Sequence, residues 1–212
     1  MTQALPKLVT FNEFSEWYPN DGKRYELHKG VIVEMPPASG EHEKVVGFIA
    51  RKLTVEFDRL NFPFTIPKTA LVKTPSGESA YSPDVLLLNL DNLSNEPLFQ
   101  KQSTVSQAAS VPLVVEVVST NWRDDYYDKF ANYEEMGITE YWIADYAALG
   151  ARKFIGNPKQ PTIFVCELVD GEYQMTPFQG NTAMPAATPA GNASPTFPQL
   201  NLTAQQIFDA AK

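Results

Sequence analysis

Two carboxylates stand where a folded core has no ordinary use for them. Asp84 follows Pro83 and opens the apolar run Val85-Leu86-Leu87-Leu88, and Glu116 sits among four valines in the apolar residues 112–119. A carboxylate inside a strand that is apolar on both faces is costly to bury unless it is paired, hydrogen-bonded or bound to a cation. Taken singly, Asp84 reads as a strand-start turn residue and Glu116 as half of a buried salt bridge. Taken together they offer the hard oxygen ligands that hold a divalent cation, and such a cation serves hydrolysis. Other chemistries find less support. Cys166 is the one cysteine, set in the apolar run Ile163-Phe164-Val165. That excludes an internal disulfide and a cysteine zinc site, and a small core residue is the simpler reading. His28 and His42 are the only histidines and form no paired metal motif.

The elements that must position these residues follow from periodicity. Thr10 and Glu13 have capping-box spacing, with Phe11, Phe14, Trp17 and Tyr18 on one helical face behind them. Residues 25–35 alternate around Lys29-Gly30 as a hairpin. Residues 41–60 read as an amphipathic helix, with Val46, Ile49, Leu53 and Phe57 inward and His42 heading the same stripe. Residues 64–73 and 83–90 are strand-like, and the polar residues 91–110 read as an irregular excursion. Residues 112–119 form the strongest strand, apolar on both faces and therefore central. Asn121 can cap a following helix that Gly137 ends, and residues 138–145 return as a strand. This β–α–β order favours a parallel pair. A hairpin follows over residues 163–169 and 172–178, then a Pro-, Ala- and Asn-rich stretch and a closing helix from Thr203.

On a helix from Trp122, Lys129 shares a face with Trp122, Tyr126, Tyr133 and Met136. A lysine on the aromatic side is unusual; the ordinary reading is a stem that covers aromatic surface while its head reaches water. Asp124 and Asp125 lie in the opening turn, where acids offset the helix dipole.

The chain has 212 residues, 43% of them apolar, which suits one domain over 1–212 with a single sizeable core. No apolar run is long enough for a membrane span, and the first ten residues lack a basic start and an apolar segment, so a cytoplasmic location is expected. With 17 Lys and Arg against 25 Asp and Glu, the net charge is -8. An acidic chain is a poor passive binder of nucleic acid. From residue 160 onward Lys212 is the only basic residue, so a nucleic-acid surface belongs in the first three quarters.

The order of the segments carries a resemblance. Pro83-Asp84 before an apolar strand and Glu116 inside another resemble the PD-(D/E)XK nuclease superfamily. Three further stretches sharpen the match: Tyr25-Glu26-Leu27 with Gly30, Asp128-Lys129 with Tyr133 and Gly137, and Glu140-Tyr141-Trp142-Ile143-Ala144-Asp145. Together they look like the Uma-type restriction endonuclease family, long described as a domain of unknown function, over nearly the whole chain from Thr10. The resemblance implies an α/β (α+β) fold, a restriction-endonuclease-like mixed central sheet flanked by helices, with a C-terminal β-hairpin appended after Asp145. It implies Mg²⁺, or Mn²⁺ in its place, held by Asp84, Glu116 and the backbone carbonyl of Val117, with Glu26 as a third acid. The substrate it implies is nucleic acid, DNA foremost, cut by a homodimer.

One position departs from the superfamily pattern. Its lysine stands two residues after the acid, and here that position is Val118. Lys129 is the replacement, since a lysine moved to a neighbouring helix is known in the superfamily. Its change to alanine is expected to abolish cleavage and to leave the fold and Mg²⁺ binding largely intact. The alternative is a catalytically silent interaction module on the same fold, which the acidic charge and Val118 favour. His42 reads either as a core histidine or as a support for the site.

Overall fold

The computed structural model describes residues 7–184, 196–197 and 199–212. Most of the Pro-, Ala- and Asn-rich stretch, residues 185–195, lies outside the described residues. At the start, the Thr10 side chain accepts from the Glu13 amide and the Glu13 carboxylate from the Thr10 amide, which launches α1 (Phe11–Trp17). Strands β1 (Arg24–His28) and β2 (Val31–Met35) pair antiparallel around Lys29-Gly30. Both turn residues have positive φ, 49° and 78°, the two-residue geometry that matches strand twist. Helix α2 (Gly40–Leu60) buries His42, Val45, Ile49, Leu53 and Phe57 along one stripe.

The strand expected over residues 64–73 is divided. Pro67 has no N–H for a ladder, and the segment gives β3 (Phe64–Thr65) to one sheet and β4 (Leu71–Lys73) to another. After β5 (Ala80–Tyr81) and β6 (Val85–Asn89), residues 90–105 hold short helices α3 (Leu90–Leu93) and α4 (Phe99–Gln102) and strand β7 (Thr104–Val105). The excursion is therefore more ordered than its polarity suggests, and β7 pairs parallel with β4. The five-stranded sheet runs β2-β1-β5-β4-β7.

The second sheet positions the acids. It comprises β3, β6, β8 (Leu113–Val117), β9 (Glu140–Asp145), β10 (Thr162–Val169) and β11 (Glu172–Phe178), in the order β11-β10-β9-β8-β6-β3. Strand β8 lies inside, antiparallel to β6 and parallel to β9. The hairpin after Asp145 is present as β10 and β11, and it extends this sheet through pairing of β10 with β9. Beyond it, β12 (Ala183–Met184) pairs with β13 (Leu202–Thr203), and a Thr203–Gln206 capping box starts the closing helix at Ala204–Ala210.

Strand alternation divides the core between two faces. Leu113, Val115 and Val117 pack with Val45, Ile49 and Leu53, as do Val85 and Leu87. Val114 and Val118, with Leu86 and Leu88, pack on the other side with Tyr126, Tyr133 and Tyr141. By parity Asp84 and Glu116 share this second side. The segment that covers it departs from the expected α-helix. Residues Asp124–Lys129 are π-helical and continue into an α-helix, Phe130–Met136, which Gly137 ends at φ 85°. Asn121 does not cap it; its side-chain amide donates to Asp124 Oδ2 at 2.9 Å. Among the described residues no helix is long and apolar enough to cross a membrane.

Candidate active site

The β6–β8 register pairs Val85 with Val115, so one step further Asp84 stands across from Glu116 at the carboxyl end of β8. Asp84 Oδ2 accepts the Val117 amide at 2.8 Å, which fixes the carboxylate there. Glu116 is buried, and both of its oxygens are engaged. Tyr133 donates its hydroxyl to Oε1 at 2.9 Å, and Lys129 Nζ lies 2.9 Å from Oε2. The same ammonium is 3.3 Å from Asp125 Oδ1 and 5.9 Å over the Tyr81 ring. Only 5% of Lys129 is exposed, so its head does not reach solvent as a stem covering aromatic surface would. Glu26 enters from β1, where Ser82 N–H donates to Oε1 at 2.8 Å and His28 Nε2 lies 2.7 Å from Oε2. His42, in the first turn of α2, holds Nε2 2.9 Å from the Val117 carbonyl and 3.4 Å from Asp84 Oδ2. Glu26, His42, Asp84, Glu116, Val117, Asp125 and Lys129 all line one cavity of about 580 Å³.

The cavity carries more negative charge than its own cations offset. Burial drives the Glu116 carboxyl well above its usual range, and Asp84, Asp125 and Glu26 add to the rise while Lys129 opposes it. Burial likewise pushes Asp125 up to about 6 against the pull of Lys129. Lys129 shows the reverse balance. Burial alone would lower it, yet Glu116, Glu26, Asp125 and Asp84 hold it well above an ordinary lysine. Glu26 is desolvated too, but Lys129, His28 and the Ser82 amide outweigh that and keep it low. Lys129 is thus the buried cation that four acids share, and Arg24 is the other permanent cation lining the cavity.

This surplus and the donor set fit a hard divalent cation. Asp84, Glu116 and Val117 all line the cavity, and their oxygens would be the ligands. Among the described residues no three His, Cys, Asp or Glu side chains converge as a metal site. His42 Nε2 stands against two of the three oxygens, and its Nδ1 has no hydrogen-bond partner among the described residues.

Comparison with known proteins gives this geometry a family. The family model Uma2, described as “Putative restriction endonuclease”, matches residues 11–204. The chain belongs to the Uma2 family. A search of curated proteins finds no match. Among solved structures the chain is similar to one titled a “putative nuclease belonging to DUF820” from Anabaena variabilis ATCC 29413. The two are 14% identical with a TM-score of 0.69, over 96% of this chain and 99% of that one. At that identity the likeness shows a common fold.

Within this Uma2 chain, the elements bring Glu26, Asp84, Glu116, Val117 and Lys129 to a single cavity. Val118 is 1% exposed inside an apolar cluster, and the cation beside Glu116 is Lys129. Asp125 is the residue the sequence reading passed over. It is buried on Lys129, and is not a solvated dipole partner. Its signal was the i,i+4 spacing to a lysine on the aromatic side of a helix. Asp128 is different: it pairs with Lys29 at 2.7 Å on the surface.

Proposed function

We propose that this Uma2 protein is a Mg²⁺-dependent endonuclease that hydrolyses phosphodiester bonds in nucleic acid, DNA foremost, in the cytoplasm and as a homodimer. The observation that carries the reading is the buried Lys129 ammonium 2.9 Å from Glu116, in a cavity whose carboxylates outnumber their cations. Asp84, Glu116 and the Val117 carbonyl would hold the ion, and Mn²⁺ would substitute for it. When bound, it would supply a water of lowered pKa and charge to balance the phosphate.

The protein's own groups do the rest. Tyr133 stays a neutral donor, because burial and Glu116 hold its hydroxyl far above its usual range, and it fixes the orientation of the Glu116 carboxylate. Glu26 and Asp125 keep Lys129 charged. From that position the ammonium orients a water or offsets negative charge that grows on the phosphate. It thus takes the part that the superfamily gives to the lysine two residues after the acid.

The rival reading is a binding module on the same fold without turnover. Val118 favours it, as does His42 on the carbonyl that the ion would use. Calorimetric titration with Mg²⁺ and Mn²⁺, paired with a plasmid-cleavage assay, separates the two. The expected result is binding and nicking by the parent protein, both lost in Asp84→Asn. Metal binding that is unchanged in Asp84→Asn, or absent from the parent, sinks the nuclease.

A further inference from the structure

One surface patch combines an exposed ring and two half-buried ones with exposed cations. Trp122 and Arg123 precede the π-helical turn, and Tyr127 within it is 40% exposed. The short helix Arg152–Ile155, after β9, packs alongside. Its Phe154 stacks on Tyr126 at 4.6 Å and meets Tyr127 edge-on at 5.7 Å. The Trp122 and Tyr127 ring centroids are 6.2 Å apart. A cation lies over each outer ring: the Arg123 guanidinium 4.7 Å over Trp122, and Lys153 Nζ 4.9 Å over Tyr127. Arg123, Arg152 and Lys153 are all exposed. The acids of the same turn are engaged elsewhere, Asp124 by Asn121, Asp125 by Lys129 and Asp128 by Lys29. Surface cation–π pairs add little to stability, so folding alone gives this grouping small reason to exist.

We propose that this patch is a stacking platform for an unpaired nucleic-acid strand, leading it to the cavity of Asp84, Glu116 and Lys129. The inference rests on the nuclease reading of that cavity. Both helices of the patch follow the carboxyl ends of the parallel strands β8 and β9, the end at which Glu116 sits. Asn121 and Asp124, which bracket Trp122 and Arg123 in the chain, line the cavity, and so does Leu149 just before the second helix. A strand that crosses the patch therefore arrives at the acids.

The chemistry selects the form of substrate. In a duplex the bases stack on one another and hide their faces, whereas an unpaired strand offers faces and phosphates together. Trp122 and Tyr127 take the bases. Arg123 and Lys153 leave the rings for the phosphates. In a chain of net charge -8 the phosphate contact falls to such local cations.

Fluorescence anisotropy tests this, with a labelled oligothymidylate and a blunt hairpin duplex of equal length, in EDTA so that neither is cut. The parent protein is expected to bind the single strand more tightly than the duplex. Tyr127→Leu should weaken strand binding about tenfold and leave duplex binding unchanged. Arg123→Gln with Lys153→Gln should flatten the slope of log affinity against log salt by about 1.4, roughly 0.7 for each lost phosphate contact. All three side chains are exposed, and an unchanged melting temperature confirms that the variants fold. Strand affinity that is equal in parent and Tyr127→Leu, or a preference for duplex, overturns the platform. A separate Mg²⁺ cleavage assay reads the catalytic proposal. Cutting without ring-dependent binding removes the platform alone, and ring-dependent binding without cutting under Mg²⁺ or Mn²⁺ removes the nuclease alone.

Discussion

At the scale of the residue, Lys129 is held by charge more than by packing. Its ammonium lies within ion-pair distance of Glu116 and Asp125 and is almost wholly buried. Burial changes what a truncation would report. Removal of one partner of a buried pair leaves the other charge uncompensated, which typically costs about 3–5 kcal/mol. Against the sequence-based expectation that Lys129→Ala spares the fold, this burial argues for a cost in stability. Lys129→Met should lose about 3 kcal/mol in urea unfolding without metal. Glu116→Gln added to it should recover part of that loss, because the amide oxygen still accepts from Tyr133 and Asp125 is then the one ion-pair partner left without the lysine. A double variant whose losses simply add would mean that the two side chains are not energetically coupled.

At the scale of the element, the helix that carries Lys129 is positioned by a contact on its far side. Tyr126 donates to Asp145 Oδ2 at 3.1 Å, and Asp145 also accepts the amides of Leu149 and Gly150 at 2.8 Å each. Gly150 lets these groups meet. A Cβ there would fall 2.8 Å from Asp145 Oδ2 and 3.0 Å from the Tyr126 ring. Gly150→Ala should therefore cost about 1–3 kcal/mol, the usual range for overpacking, and should lower the melting temperature. A neutral substitution would show that the loop yields and that Tyr126 is not pinned through it. This junction also marks the limit of what the sequence makes legible. Valine runs, turn glycines and capping boxes act locally, and from them the central strand, both hairpins and the β–α–β crossover can be read. The alternation of β8 shows that Glu116 and Val118 share a side; that a lysine on the following helix stands in for the one the superfamily places at Val118 is what the resemblance implies. The π-helical turn has no such local signature. Asp125 is nonetheless four residues before Lys129, a spacing that puts the two on one side of a helical turn, and the packing of that side on the sheet buries both. The division of residues 64–73 between two sheets is likewise a matter of tertiary pairing, hinted at only by Pro67.

At the scale of the whole molecule, the surplus of buried carboxylates makes stability depend on pH, and the proposed cation would make it depend on metal as well. Asp125, pushed up to about 6, and Glu116, also raised, bind protons in the folded protein that an unfolded chain would have released. Unfolded Asp and Glu titrate near 3.9 and 4.3. Between those values and about 6 the native state holds more protons, so stability falls as pH rises through the folded pKa values. For Asp125 the shift of about 2 units corresponds to roughly 3 kcal/mol, present below pH 4 and lost by about pH 7. Glu26 runs the other way, since its lowered pKa stabilises the fold above its unfolded value and that contribution is lost as pH falls. A divalent cation binds the ionised carboxylates and competes with the protons. Melting temperature in EDTA should therefore decline from pH 5 to pH 8, and saturating Mg²⁺ should raise it more at the alkaline end. Asp125→Asn removes one of the raised acids and should flatten the EDTA profile without abolishing the Mg²⁺ effect, because Asp84, Glu116 and the Val117 carbonyl remain. A parent profile in EDTA that rises steadily over this interval would mean that the acids ionise more readily in the fold than in the unfolded chain, and that their charge is already compensated without a metal.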